Sequence, residues 1–157
     1  MATALWYSIC ASRGADKEAK DDAGLTPMNF AAIYNEHQVI RCLCEHGADK
    51  ERRDMSGRTP LHEAAGLGFL SVVKYLCEQG VDMNAIDHHD LTPMHKAAEK
   101  DHLSVVQYLC EQGANKEARD EYGFKPLHKA EINCKPKVVK YLEEQERLGA
   151  RARAEAK

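Results

Sequence analysis

The sequence has no long hydrophobic run and no strong excess of either charge. Its apolar runs extend over only a few residues, as in Phe69-Leu70, whereas a membrane-spanning helix needs about 20 consecutive apolar residues. The net charge of −3 does not favour nucleic acid as a partner. The N-terminus lacks the basic segment and cleavage pattern of a secretory signal. We therefore expect an intracellular protein, cytoplasmic or nuclear or both, with neither membranes nor nucleic acid among its partners.

Motifs that carry chemistry are also missing. The six cysteines form no CxxC pair, and Cys42 and Cys44 are a CxC pair without further zinc ligands nearby. The sequence has no glycine-rich loop for a phosphate and no serine or cysteine with a recognisable His–Asp partnership. The hydrophobic fraction of 43% is nevertheless sufficient for a packed core. These observations predict a single domain that is not an enzyme and that needs no cofactor and no metal.

An internal repeat of 33 residues is the main feature of the chain. One heptapeptide recurs four times, as TPMNFAA from Thr26, TPLHEAA from Thr59, TPMHKAA from Thr92 and KPLHKAE from Lys125. Three further residue types keep the same register: Gly14, Gly47, Gly80 and Gly113; Asp21, Asp54, Asp87 and Asp120; Leu43, Leu76, Leu109 and Leu142. Self-similarity at a fixed period of this length is typical of solenoid architectures.

Each unit has the chemistry of a turn followed by two helices. Residues 54–57 place Asp first and Gly fourth, as in a type I turn. Thr59 suits a helix N-cap and Pro60 suits the first helical position. Apolar residues around Leu76 then recur at helical spacing, and Gly80 predicts a left-handed helix end. So short a helix pair cannot bury its apolar stripe alone, and stacked copies can.

The repeat register predicts one domain over residues 1–157. Residues 1–20 form an N-terminal half-repeat, residues 21–53, 54–86 and 87–119 form three repeats, and residues 120–157 form a C-terminal capping repeat with a charged helical tail. In the last unit Lys125 replaces threonine and Glu131 replaces the second alanine. These changes are expected of a unit whose outer face meets water.

The pattern D-x-x-G-x-T-P-L-H-x-A-A, followed by V-V-x-x-L and G-A-D, resembles the ankyrin repeat over roughly residues 9–142. The resemblance implies an all-α solenoid of helix-turn-helix units joined by β-hairpin loops. It also implies that a protein or peptide binds at the hairpin tips and the concave inner-helix face.

Histidine and cysteine also recur with the repeat, at His62, His95 and His128 and at Cys44, Cys77 and Cys110. Helix packing separates equivalent side chains of adjacent units by roughly 8–10 Å. Zinc ligands lie about 2 Å from one ion, and a disulfide needs Cα atoms within about 7 Å. We therefore expect the histidines to bond backbone groups, and the cysteines to be small, buried hydrophobic residues in a reducing compartment.

Positions that the fold leaves free lie at the hairpin tips and on the exposed side of each first helix. The candidate protein-binding residues are Leu25, Ile33, Tyr34, Met55, Arg58, Leu67, His88, His89, Leu91, Glu99, Lys100, Tyr122 and Phe124. An exposed apolar surface rimmed by charge marks an interaction site, and aromatic residues and arginine are enriched there. Alternatively, several of these side chains fold back onto their own hairpins.

The resemblance also implies a possible modification at Asn84. This residue occupies the hairpin position that ankyrin-directed asparaginyl hydroxylases modify, and Leu76 precedes it by eight residues. Asparagine is also ordinary turn chemistry at such a place.

The leading interpretation is a non-catalytic scaffold or adaptor. The alternatives are a regulatory inhibitor of a kinase or transcription factor, an ankyrin fragment of a larger signalling protein, and a nucleic-acid binder or enzyme that uses the basic tail at 147–157. Self-association through the N-terminal end is a further possibility, because Trp6, Ile9 and Cys10 lack a first helix to cover them.

Overall fold

The computed structural model describes residues 16–157, which contain eight α-helices and no β-strand. The helices are α1 (Pro27–Ile33), α2 (His37–Glu45), α3 (Pro60–Leu67), α4 (Leu70–Glu78), α5 (Pro93–Glu99), α6 (Leu103–Glu111), α7 (Pro126–Ile132) and α8 (Pro136–Glu155). The odd-numbered inner helices pack in one row, the even-numbered outer helices pack in a second row, and each outer helix contacts the inner helix before it. The predicted all-α helical solenoid is confirmed. The expected β-hairpins are, within this range, turns without assigned strands.

The inner helices begin as their sequences predict. Thr26 and Thr92 have extended backbones, and their hydroxyl groups accept a hydrogen bond from the backbone N–H three residues later. A proline follows each of them at the first helical position, where its missing N–H is not needed. The outer helices α2, α4 and α6 end before glycines in the left-handed conformation, with φ 79° at Gly80. This conformation costs glycine little because it has no Cβ.

Small side chains let neighbouring inner helices approach closely. Ala64 and Ala65 in α3, like the alanine pair at 97–98 in α5, are fully buried. The outer helices fill the remaining space with valine and leucine, and Leu76 is completely buried in α4. Burial of such a side chain contributes about 1.5–3 kcal/mol. Each unit therefore completes the core of the next, and one continuous hydrophobic core runs along the stack.

The last unit differs from the units before it. Helix α8 is 20 residues long and buries Val138 and Leu142 near its start. The Lys125 ammonium group lies 2.5 Å from a carboxylate oxygen of Glu117 and 3.1 Å from one of Glu146. Lys125, which replaces the threonine of the other units, thus joins α8 to the loop that precedes α7 by ion pairs.

No helix in the described part of the chain is long and apolar enough to cross a membrane. The predicted half-repeat lies mostly outside the described residues, as do Trp6, Ile9 and Cys10.

Candidate protein-binding face

The loop of each unit is held by the repeated aspartate. One carboxylate oxygen of Asp87 accepts hydrogen bonds from the backbone N–H groups of His89 (2.9 Å) and Leu91 (3.0 Å). The other oxygen lies 3.5 Å from the Lys96 ammonium group and 3.9 Å from Nε of Arg58. Burial alone would raise the pKa of Asp87, but the two backbone hydrogen bonds and the charge of Lys96 hold it below its ordinary value. The turn is therefore rigid, and the negative charge of Asp87 is compensated by Lys96 and Arg58.

The repeated histidines join each inner helix to the next turn. Nδ1 of His62 accepts the Thr59 backbone N–H at 3.1 Å, and Nε2 lies 2.9 Å from the Leu91 carbonyl oxygen. His95 makes the equivalent bond to the Phe124 carbonyl oxygen at 2.9 Å. A carbonyl oxygen only accepts, so Nε2 carries the proton and the ring is neutral. The prediction that these imidazoles bond backbone groups is confirmed.

Protonation of the buried ring is unfavourable. Burial lowers the pKa of His62 to about 4, although its hydrogen bond to Leu91 opposes the shift. Burial also lowers the pKa of His95. Protonated Nδ1 would face the Thr59 N–H donor, so the neutral ring alone satisfies both contacts.

Backbone hydrogen bonds between successive turns set the loop tips in a row. Met55 donates to the Ala23 carbonyl oxygen at 3.2 Å, and His88 donates to that of Ser56 at 3.0 Å. Glu121 continues the series by donating to the His89 carbonyl oxygen at 3.1 Å. These bonds align the variable residues of four units.

Most apolar candidates are exposed, as predicted. The exposed fractions are 72% for Tyr122, 70% for Met55, 62% for Tyr34, 43% for Leu67 and 38% for Phe124. His88, His89 and Lys100 are also exposed, whereas Leu25, Ile33, Arg58 and Glu99 are half-buried. The structure therefore brings large apolar side chains to the surface at the loop tips and along the inner helices.

The expected exposure of Leu91 is wrong. Only 8% of this residue is accessible. Its backbone N–H is held by Asp87 and its carbonyl oxygen by His62 of the preceding unit. Leu91 therefore belongs to the interface between the second and third units and is not available as a contact residue.

A groove of about 300 Å³ opens between α3 and α5. Its lining residues are Arg58, His62, Glu63, Gly66, Leu67, Lys96, Glu99 and Lys100. Gly66 stands where the other units carry Ile33, Glu99 and Ile132, so its missing side chain leaves the space open. Four candidate residues, Arg58, Leu67, Glu99 and Lys100, are thus brought together in one concave site.

Two groove residues that bear charge, Glu63 and Lys96, were missed by the sequence analysis, whereas Gly66 lies at a position that the sequence left free. Reading each repeat position across the units would have found the two charged residues, because Phe30, Glu63, Lys96 and Lys129 differ at one position while the alanine that follows them stays constant. The same reading marks Ile86, which is exposed, because Lys20, Arg53 and Arg119 occupy its position in the other units.

Asn84 lies at an exposed loop position. Its side-chain oxygen accepts the Asn115 backbone N–H at 2.7 Å, as the Glu51 carboxylate accepts that of Asp82 at 2.6 Å. Asn84 therefore continues a contact between units. Its hydroxylation stays a prediction, which the intact mass after incubation with a hydroxylase would test.

The described cysteines are free thiols. Burial raises the pKa of Cys77 to about 11 and that of Cys44 and Cys110 above the ordinary value. Since the thiolate is the nucleophile, the raised pKa disfavours reaction of these three thiols at neutral pH. Within residues 16–157, no three His, Cys, Asp or Glu side chains are grouped to hold a metal ion.

Comparison with known proteins agrees with this architecture. A family model described as ankyrin repeats in three copies matches residues 2–87 and 80–152. No curated protein matches the chain significantly. Ankyrin repeats are generally non-catalytic modules of protein–protein interaction. Because the match spans nearly all of the sequence, and the stacked helix pairs have the expected order, the chain belongs to the ankyrin-repeat family.

Proposed function

We propose that this protein is a non-catalytic scaffold or adaptor that binds another protein through its loop tips and inner-helix face. The observation that carries the proposal is the set of five large, exposed apolar side chains given above. Monomeric proteins rarely expose contiguous apolar patches of large area unless the patch is functional. The rigid turns and the row of backbone bonds hold Met55, Tyr122 and Phe124 in place before binding, which reduces the entropic cost of association.

The groove beside Gly66 is the proposed anchoring point. Leu67 forms one apolar wall, and Tyr34 lies at the equivalent position of the unit before it. The ends of charged side chains surround the opening, with Arg58 3.4 Å from Glu63. A partner's apolar side chain fits such a site, because anchor residues bind in pockets from which water is excluded.

Affinity capture with matched variants tests the proposal. The variant Tyr34→Asp/Leu67→Asp places two charges on the proposed face without touching the core. We expect it to lose the proteins that the wild type captures from a native lysate, measured by quantitative mass spectrometry. Its melting temperature should stay within a few degrees of the wild type, because both side chains are exposed.

The matched control changes two exposed apolar residues that were not candidates for this face. Ile86 and Leu148 are 47% and 51% exposed, so Ile86→Asp/Leu148→Asp has the same charge change. The control should keep the captured proteins. Equal loss from both variants, or from neither, would contradict the proposal.

A further inference from the structure

The segments that build the proposed face are more negative than the rest of the chain. The loop tips and inner helices comprise residues 21–34, 54–67, 87–100 and 120–133. They contain ten acidic and five basic side chains, a net charge of −5, whereas the remaining residues have a net charge of +2. A negative surface attracts a basic partner and repels an acidic one.

Glu99 is the groove carboxylate that no cation compensates. The two cations inside the groove already have carboxylates beside them, since Lys96 lies 3.5 Å from Asp87 and Arg58 lies 3.4 Å from Glu63. Glu99 lines the same groove and is half-buried. Its side chain forms no hydrogen bond or ion pair with any described residue. Because partial burial of an unpaired carboxylate is unfavourable, the groove favours a cationic occupant.

Lys100 does not supply that cation, although it borders the groove. Its side chain is exposed and forms no ion pair with any described residue. An exposed ammonium group is strongly hydrated, and its attraction to other surface charges is weak. Lys100 therefore remains in water at the rim. An acidic partner residue that approached it would also meet Glu99 and Glu63.

The shape of the groove suits a long side chain with an apolar stem. Gly66 keeps the space open, because a Cβ on this residue would already lie 3.4 Å from the Cβ of Lys96. Leu67, which is 43% exposed, forms an apolar wall. With a volume of about 300 Å³, the groove presents both this wall and the Glu99 carboxylate to an occupant.

We propose that the groove binds an arginine side chain from a basic segment of the partner protein. The methylene groups of the arginine pack against Leu67, and its guanidinium donates two hydrogen bonds to the Glu99 carboxylate. Lysine fits less well, because an ammonium group is more strongly hydrated and cannot bind a carboxylate through a planar fork. A wholly apolar side chain would cover Glu99 without replacing its contact with water. This inference rests on the proposed function and specifies the side chain at its anchoring point.

Selection of random peptides displayed on phage identifies the occupant. The two targets are the wild type and Gly66→Ile, which fills the groove with the residue that the first and last units carry at this position. Isoleucine is a better helix former than glycine, so the variant should keep the melting temperature of the wild type. Peptides that bind the wild type and not Gly66→Ile depend on the groove. We expect these peptides to share an arginine.

A synthetic peptide from this selection measures the contact with Glu99. Replacing its arginine by citrulline keeps the shape of the side chain and removes the charge. In isothermal titration calorimetry, citrulline should weaken binding to the wild type about tenfold or more. The same replacement should weaken binding to Glu99→Gln less than about threefold, because the two groups act as a pair. Glu111→Gln is the matched control, since it removes the same charge from an exposed position on α6, and it should retain the effect seen in the wild type.

Three results would overturn the arginine inference. They are groove-dependent peptides without a common arginine, an equal effect of citrulline in the wild type and Glu99→Gln, and a selection in which no peptide distinguishes the wild type from Gly66→Ile. The proposed function survives each of them if Tyr34→Asp/Leu67→Asp still loses the captured proteins. Equal capture by that variant and the wild type would contradict the function itself.

Discussion

His62 and His128 occupy the same position of their units, but their surroundings differ. His62 is buried, and both of its nitrogens are bonded. His128 is half-buried, and only its Nδ1 has a hydrogen-bond partner among the described residues. Two other repeat positions differ in the same way between the inner units and the last one. Ala65 is buried whereas Glu131 is exposed, and the N-cap residue is Thr59 in one unit and Lys125 in the other. A repeat position therefore has a fixed backbone geometry, while the following unit determines its burial and its energetic contribution.

The largest effect of a side-chain truncation is expected at the buried leucines of the outer helices. Leu76→Ala should lower the free energy of unfolding by about 2–5 kcal/mol, because the cavity is closed on all sides. Leu142→Ala in α8 should fall at the lower end of that range, since a unit packs against it on one side only within the described residues. Urea denaturation measures the unfolding free energy of both variants. A greater loss of unfolding free energy for Leu142→Ala than for Leu76→Ala would contradict this difference between the units.

The next effect in size is the acid sensitivity that buried His62 should give the fold. The folded-state pKa of His62 is about 4, below the ordinary 6.5, so its contribution is complete above pH 6.5 and is lost as the pH falls toward 4. The loss amounts to about 3 kcal/mol. His62→Asn should flatten the dependence of unfolding free energy on pH between 6.5 and 4. Identical curves for the variant and the wild type would exclude this role.

Glycines at one turn position should give a smaller difference. Gly57 and Gly123 have φ values of 76° and 80°, so alanine at either costs about 1–2 kcal/mol from the left-handed backbone. A Cβ on Gly57 would also lie 2.4 Å from the His88 ring, whereas one on Gly123 meets nothing within 4 Å. Gly57→Ala should therefore lower the melting temperature more. Equal shifts in melting temperature would show that the His88 ring of the neighbouring unit moves aside at no cost.

The smallest effect is expected at Glu131. Because this side chain is exposed, Glu131→Ala should change the unfolding free energy by no more than about 0.5 kcal/mol. The reverse change in the middle of the stack, Ala98→Glu, would bury an unpaired charge and should prevent folding. Circular dichroism of the two variants tests this pair, and a folded Ala98→Glu protein would contradict the packing.

The repeated part of the structure could be predicted from the sequence because its determinants are local. A threonine and the following proline start the inner helix in the first three units, as at Thr26, and Gly80 ends an outer helix. The period of 33 then specifies the stacking. The face was harder to predict, because exposure depends on contacts between units. Leu91 and Phe124 share one repeat position, yet one is buried and the other exposed.

The groove was not predicted, because it does not depend on local sequence. Gly66 looks like a weak helix former within its own unit, and the space left by its missing side chain exists only between α3 and α5. The ion pairs of Lys125 with Glu117 and Glu146 join residues far apart in sequence, and no local pattern indicates them.

Site-specific photo-crosslinking tests the proposed protein-binding face most directly. A photoreactive phenylalanine derivative would replace Leu67 in one protein and Leu148 in another, since both side chains are exposed. Irradiation in native lysate should give covalent adducts of defined mass from position 67 and few or none from position 148. Adducts that form equally at both positions, or only at position 148, would contradict a binding function for the inner-helix face.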